Sequence, residues 1–339
     1  MNAEHPPAQP IFPGFDPAWQ DVPDFVLGVT RRIWEGRDIA ALRRHHAANV
    51  VIRAPSGVVV GNDAVVAATL STLAEFPDRD LLGEDVIWAA TAPSEADGRA
   101  GFLSSHRMTG RATHAGAGLH GPPSGRAVSC RTIAESWCAD DRVCDGWQVV
   151  DRGAILRQLG EAPKAWTAAL IEREGGPAAC IRPLTPDTDR EGPYAGRGAR
   201  NATSDRLETL LKRLMDGDLS PIPAAYDRAC ELAYPGGVTE MGHAAADRFW
   251  LGLRSAMPSA AFRVEHRIGL DAPGQPPRAA LRWSLYGRHD GPGPFGPPTG
   301  AYLYVMGMTH AEFGPRGLRR EWTLYDETAI WKQILLATG

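Results

Sequence analysis

The chain carries one stretch twice. His114, Gly116, Gly118, Gly121, Pro122, Pro123, Gly125, Trp147 and Asp151 recur 175 positions later. There they stand as His289, Gly291, Gly293, Gly296, Pro297, Pro298, Gly300, Trp322 and Asp326, without a gap. Arg107/Arg282, Ala154/Ala329, Ile155/Ile330 and Gln158/Gln333 keep the same spacing. A repeat of this kind restricts the fold, because each copy must bury its apolar face in the same way. The chain is therefore read as two related units, in keeping with its 339 residues. Further upstream the spacing is 181, pairing Gly36 with Gly217, Gly61 with Gly242 and Pro77 with Pro258. The second unit is thus shorter between His266 and Arg282, and the Pro93–Gly98 turn of the first is the expected place.

Within each unit the hydrophobic period changes from helical to alternating. Phe25, Val26, Val29, Ile33 and Trp34 sit at helical spacing, and Gly36 ends that helix. Asp38 is placed to cap a second helix running through His46, and Asn62 and Asp63 a third, from Ala64 to Phe76. Residues 50–53 and 58–60 read as a hairpin. Residues 85–91, 101–113, 127–138 and 142–151 read as four long strands, closed by a short helix over 154–159. The expected architecture is α+β: two cone-shaped barrel domains, each with N-terminal helices packed in a curved antiparallel sheet. The expected division is a Pro-rich arm (1–23), a first domain (24–160), a linker with a short helix near 166–173 (161–203), and a second domain (204–339).

Composition narrows the function classes. Net charge is −4 with a pI near 6.2, which gives no reason to expect nucleic acid or membrane binding. Lysine occurs only as Lys164, Lys212 and Lys332, which argues against Schiff-base chemistry. The five cysteines form no CxxC and read as buried free thiols in a reducing compartment. With no secretory leader and no apolar run near the ~20 residues of a membrane span, the expected location is cytoplasmic.

The order of helices, curved sheet, Gly-Pro-rich turn and Trp-x-x-x-Asp resembles the SnoaL-like polyketide cyclase family, within the nuclear transport factor 2-like superfamily. The resemblance rests on Thr113-His114-Ala115-Gly116, Gly121 to Arg126, Trp147 to Asp151, and Gln158-Leu159-Gly160. The second unit follows it through His289 to Gly300 and Trp322 to Asp326. It implies a small-molecule enzyme without metal or organic cofactor, a cyclase, isomerase or hydrolase with one acidic residue on a late strand. Two positions compete for that acid. One is Asp151, with Asp326 in the second unit. The other directly follows the Trp and holds Gln148 and Thr323.

Side chains alternate along a strand, so Trp147, Val149 and Asp151 share one face. If that face is the cone interior, Asp151 lies in an apolar cavity where its charged form is disfavoured, which suits proton transfer next to a carbonyl. His114 would orient it, with His289 beside Asp326 as the second copy. Trp147, Trp322 and Trp88 would wall the pocket, and Arg107 and Arg282 would bind a substrate carboxylate. The plainer readings stand beside these: Asp151 and Asp326 as helix caps, the two His as turn residues, the Trp as core, the Arg as partners of buried acids. His45 and His46 read as exposed helix residues, and His310 with Glu312 is too sparse for a metal site. The Gly-Pro-Pro segment reads as a hairpin turn, since it lacks the Lys of a phosphate loop.

The tandem suggests an intrachain pseudo-dimer. Ile133, Val143 and Val149 would meet Met306, Met308 and Leu324 where the sheets pack, and a further homodimer remains open. Three functions are compatible: a cofactor-independent enzyme, a binding protein for an apolar or carboxylated metabolite, or a scaffold.

Overall fold

A computed structural model describes residues 11–93 and 98–339. Pro6, Pro7 and Pro10 of the arm, and most of the Pro93–Gly98 turn, lie outside the described residues.

The first unit opens with α1 (Val22–Trp34), α2 (Ala40–His45), β1 (His46–Ala54), β2 (Gly57–Val60) and α3 (Asn62–Glu75). It continues with β3 (Asp80–Thr91), β4 (Gly101–Thr113), β5 (Ala127–Ala139), β6 (Arg142–Val150) and α4 (Arg152–Leu159). The connection holds α5 (Pro163–Arg173) and the two-residue β7 (Gly198–Ala199). The second unit repeats the order as α6 (Ala202–Met215), α7 (Ile222–Ala225), β8 (Tyr226–Tyr234), β9 (Val238–Met241) and α8 (His243–Ala256). It ends with β10 (Ala261–Leu270), β11 (Arg278–Arg288), β12 (Tyr302–Gly314), β13 (Gly317–Tyr325) and α9 (Glu327–Thr338). The strand orders are β2-β1-β6-β5-β4-β3 and β7-β10-β11-β12-β13-β8-β9. The long meanders are antiparallel, and β1 with β6, and β8 with β13, pair in parallel. The fold is therefore α+β, two cones in one chain.

Local chemistry explains most element ends and corrects some. The Asp21 side chain accepts from the Asp24 N–H at the start of α1. Asp38 accepts from the Ala41 N–H, but α2 stops at His45 and His46 opens β1. Asn62 and Asp63 lie inside α3, whose N-cap is Gly61 with no side-chain cap bond. The second unit begins earlier than expected, because Asn201 and Ser204 form a capping box at the start of α6. The 161–203 stretch is not a free tether. Leu184 and Tyr194 pack between the units, and Gly198–Ala199 adds an edge to the second sheet.

Each cone has two faces. On the inner face of the first sheet, α1 and α2 bury Phe25, Val29, Ile33 and Leu42 with Phe102 and Cys138. The arm joins this core, with Phe12 and Phe15 against Phe102. On the outer face, Ile87, Leu103, Ile133, Trp137, Trp147 and Val149 meet Ile268, Ala280, Met306, Met308 and Leu324 of the second sheet. The sheets thus pack on each other as expected, except at Val143. The β5–β6 register slips between Trp137 and Cys138, and this bulge turns Val143 onto the helix side. All five cysteines are buried free thiols. Among the described residues no helix is long and apolar enough to cross a membrane.

Candidate functional site

The inner face of the first cone lines a half-open cavity of about 270 Å³, between α1, α3 and strands β3 to β6. Its walls are mostly apolar: Ile33, Trp34, Leu42, Ile52, Leu81, Met108 and Ala134. Strand alternation sets which polar groups reach it. With Ile133 and Val149 facing the second unit, Thr132, Ala134 and Ser136 of β5 face inward, as do Gly146 and Gln148 of β6 and His106 of β4. His46 enters from the first residue of β1 and Arg79 from the turn before β3.

These polar groups are poorly satisfied within the protein. His106 and Thr132 are 7% and 3% exposed, yet His106 Nδ1 and Thr132 Oγ1 have no protein partner, nor does His46 Nδ1. Leaving such an atom unpaired costs about 1–3 kcal/mol, so three around one cavity call for a hydrogen-bonding ligand. Burial pushes His106 down to about 4. Burial, with neighbouring His45 adding to it, brings His46 to about 4 as well. Both imidazoles are neutral at pH 7, so each offers one donor and one acceptor nitrogen.

The second cone is filled instead. Trp250, Trp283, Phe295 and Phe313 are buried in its core with Leu281 and Leu285. Leu281 stands at the repeat position of His106, and Trp283 at that of Met108. Gly307 replaces Thr132, and a Cβ there would lie 2.1 Å from Trp283 Cζ2, so the indole occupies the space. Tyr234 Oη and Trp250 Nε1 have no hydrogen-bond partner there among the described residues, while another set of polar groups is bonded to each other. Trp283 Nε1 donates to Thr309 Oγ1 (3.0 Å), which hydrogen-bonds with Thr323 Oγ1 (2.9 Å). Thr323 and Tyr226 donate to Glu321 at 2.7 and 2.6 Å. Burial pushes that carboxyl up to about 7.

The residues that repeat lie elsewhere. Asp151 is the N-cap of α4: its carboxylate accepts from the N–H groups of Ala154 (3.1 Å), Gly236 (2.8 Å) and Gly237 (2.8 Å). The last two belong to the β8–β9 turn, so the carboxylate also ties the units together. Burial raises its pKa against three donors that favour the anion. Asp326 caps α9 through the Thr328 N–H (3.0 Å) and pairs with Arg152 (3.0 Å). Neither carboxylate lines the cavity.

His114 and His289 each clasp the β-turn that follows. Their Nδ1 atoms hydrogen-bond with Ser124 Oγ and Thr299 Oγ1, both at 3.0 Å. Their carbonyls accept from Ser124 and Gly125, and from Thr299 and Gly300. Close approach explains the glycines beside them: a Cβ on Gly116 or Gly291 would lie 1.9 or 2.0 Å from the carbonyl oxygen of Ala74 or Ser255. His114 also lies 3.4 Å from Glu75, which His120 shares at 3.1 Å.

The expected pocket walls are corrected too. Trp147 borders the cavity along β6, but its ring meets His266 (4.6 Å between centroids) and lies under Arg53 and Arg282. Trp322 lies under Arg107. Arg107 pairs with Glu84 (2.6 Å), and Arg282 with Glu135 (3.3 Å). The four residues join the cones instead of facing a ligand; on β6, past the bulge at Val143, Trp147 points outward with Val149. Trp88 packs with Phe12 and Phe102 in the helical core. His45 is buried, 3.2 Å from Asp141, and is not the exposed helix residue expected. His310 hydrogen-bonds with Ser105 Oγ (2.8 Å) between the units. Among the described residues no cluster of three or more His, Cys, Asp or Glu could hold a metal ion. Of the cavity's polar groups, sequence reasoning placed only Gln148 at a possible site, as the competing position after the Trp, and read His46 as an exposed helix residue. His106, Thr132 and Arg79 carried no motif.

Helices held in a strongly curved antiparallel sheet around an internal cavity define the cone-shaped class to which nuclear transport factor 2-like proteins belong. Residues 25–159, the first cone, match the SnoaL-like polyketide cyclase model. IdmH from Streptomyces antibioticus is 24% identical over 41% of this chain and 97% of its own, with a TM-score of 0.34. AclR from Streptomyces galilaeus is 22% identical over 42% and 85%, with a TM-score of 0.35. A SnoaL-like polyketide cyclase from Agrobacterium tumefaciens is 18% identical over 40% and 99%, with a TM-score of 0.32. A search of curated proteins gives no match. The family match supports a cyclase- or isomerase-like function on small molecules, without cofactor.

Proposed function

We propose that the first cone, residues 24–160, binds a small, largely apolar carbonyl compound and moves a proton next to that carbonyl. The second cone, from Asn201 onward, forms the supporting domain, joined through the preceding stretch from 161. The observation that carries this reading is the set of unpartnered buried atoms at the cavity: Nδ1 of His46 and His106, and Oγ1 of Thr132. A neutral imidazole whose free nitrogen is an acceptor takes the α-proton, and the C–H electron pair moves into the carbonyl as an enolate. The Gln148 amide, or the second imidazole as donor, stabilises the enolate oxygen. Return of the proton at another carbon isomerises the compound, and attack by the enolate carbon on a second carbonyl closes a ring.

The test uses 2-tetralone in D₂O, followed by NMR for deuterium uptake at its α-carbons. Uptake above the buffer rate, abolished in His106→Asn at saturating 2-tetralone, supports the reading. Absence of binding by folded protein overturns it. A second reading has its own support. Gln148 stands where the resemblance allows an acid, and Glu135, which also borders the cavity, has its carboxylate Oε1 paired with His266. Binding of 2-tetralone without uptake would favour this non-catalytic binding protein.

A further inference from the structure

Arg79 is the cation of the cavity, and no carboxylate answers it. The residue is half-buried in the turn between α3 and β3, and lines both the main cavity and a small apolar recess beside Phe76 and Ile155. Its guanidinium stacks on Trp34, 4.8 Å from the ring centroid. Among the described residues no Asp or Glu lies within ion-pair distance of it. By contrast, the arginines buried between the units, Arg53, Arg107 and Arg282, all have acidic partners.

The other charged groups near the cavity do not compensate Arg79. His46 and His106 are neutral at pH 7. Glu135 is held by His266 (2.5 Å) and Arg282 (3.3 Å) on the outer face of the sheet. Glu75 is engaged by His120 and His114. Burial works against the guanidinium charge, and only a weak, thiol-based interaction with Cys130 opposes that. A cation held by an aromatic face, beside orphaned hydrogen-bonding atoms and without an anion, is a one-sided ion pair.

We propose that Arg79 is a specificity determinant that selects ligands bearing a carboxylate on a compact apolar frame. The carboxylate completes the ion pair at the turn before β3, while His106, Thr132 and Gln148 meet polar substituents deeper in the cone. The planar fork suits a carboxylate through two parallel N–H···O bonds, and the Trp34 stack fixes its plane. The proposal rests on the first cone being the ligand site.

The experiment compares 2-naphthoate with its neutral methyl ester by titration calorimetry, using the full chain. Wild type is expected to bind the acid at least about tenfold more tightly than the ester, the difference one charge-assisted contact makes. Arg79→Gln is expected to remove that preference while leaving ester affinity within about twofold, and Arg79→Lys to restore part of it. Equal affinity for acid and ester, or an acid preference unchanged in Arg79→Gln, overturns the role of Arg79. In that outcome, ester binding weakened by His106→Asn leaves the cavity reading standing. If neither compound binds wild type, and 2-tetralone does not bind either, both readings fall.

Discussion

Arg107 lays its guanidinium over the Trp322 ring, 3.5 Å from the centroid, and its repeat Arg282 lies 4.7 Å from that of Trp147. Each arginine comes from one cone and each indole from the other, so the two contacts are related by the repeat itself. Two of the repeated pairs are therefore repeated because they form the junction. The anions behind the arginines differ. Arg107 meets the partly exposed Glu84, whereas Arg282 meets the fully buried Glu135 and His266.

That difference predicts unequal mutational costs. Arg282→Ala leaves Glu135 buried with one neutral-leaning partner and should destabilise by about 3 kcal/mol. Arg107→Ala loses a stacking contact and a semi-exposed pair and should cost about 1–2 kcal/mol. Urea denaturation of both variants checks the order. A larger loss in Arg107→Ala would mean that stacking, not charge burial, governs the junction.

The two cones should also respond oppositely to pH. His106 falls from 6.5 to about 4 on folding, so the unfolded chain binds more protons between those values. Its contribution is present above pH 6.5 and is lost as pH falls towards 4, by about 3 kcal/mol at most. Glu321 rises from 4.5 to about 7, so the folded chain holds the extra proton. Its contribution is present below pH 4.5 and is lost as pH rises through 7, by a similar amount. His106→Asn should therefore make the protein less acid-sensitive between pH 6.5 and 4. Glu321→Gln should make it less sensitive to alkali between pH 5 and 8. Denaturation midpoints across pH 4–8 measure both slopes, and unchanged slopes would contradict the assignment.

Much of the fold could be read from the chain because period and repeat act locally. Alternation marked the strands, and the constant 175 spacing showed that β4 to α4 reappear as β11 to α9. The site was less legible, for a reason visible on β6. Val149 was expected between the sheets and Trp147 inside the cone, yet residues two apart on one strand share a face. Only one of those expectations can hold, and the structure keeps Val149 at the junction. Gln148 and Thr132 then turn inward. Sequence could have exposed that conflict. It could not show the bulge that redirects Val143, nor bring His46 to His106, because both depend on register between strands distant in the chain.

Asp151 tests the distinction between a repeated residue and a reacting one. Its carboxylate serves three N–H donors, two of them from the other cone. Asp151→Asn keeps one acceptor oxygen but brings an NH₂ group towards those donors, so a loss of about 2–3 kcal/mol is expected. Affinity for 2-naphthoate, measured where the variant is folded, should match wild type. A stable Asp151→Asn protein with abolished tetralone exchange would instead return this carboxylate to the chemistry.

The last prediction exchanges the interiors of the two cones. His106→Leu copies Leu281 of the filled cone and removes a buried, unpaired imidazole nitrogen. The unliganded protein should gain about 1–2 kcal/mol, because that nitrogen's desolvation is no longer uncompensated. Ligand affinity should fall in the same variant, since the cavity loses its hydrogen-bonding group. The reverse change, Gly307→Thr, drives a Cβ into the Trp283 ring and should cost about 3 kcal/mol. A more stable but non-binding His106→Leu is the signature of a polar group kept for a ligand. A destabilised His106→Leu would show that the imidazole supports the fold, and would move the site away from it.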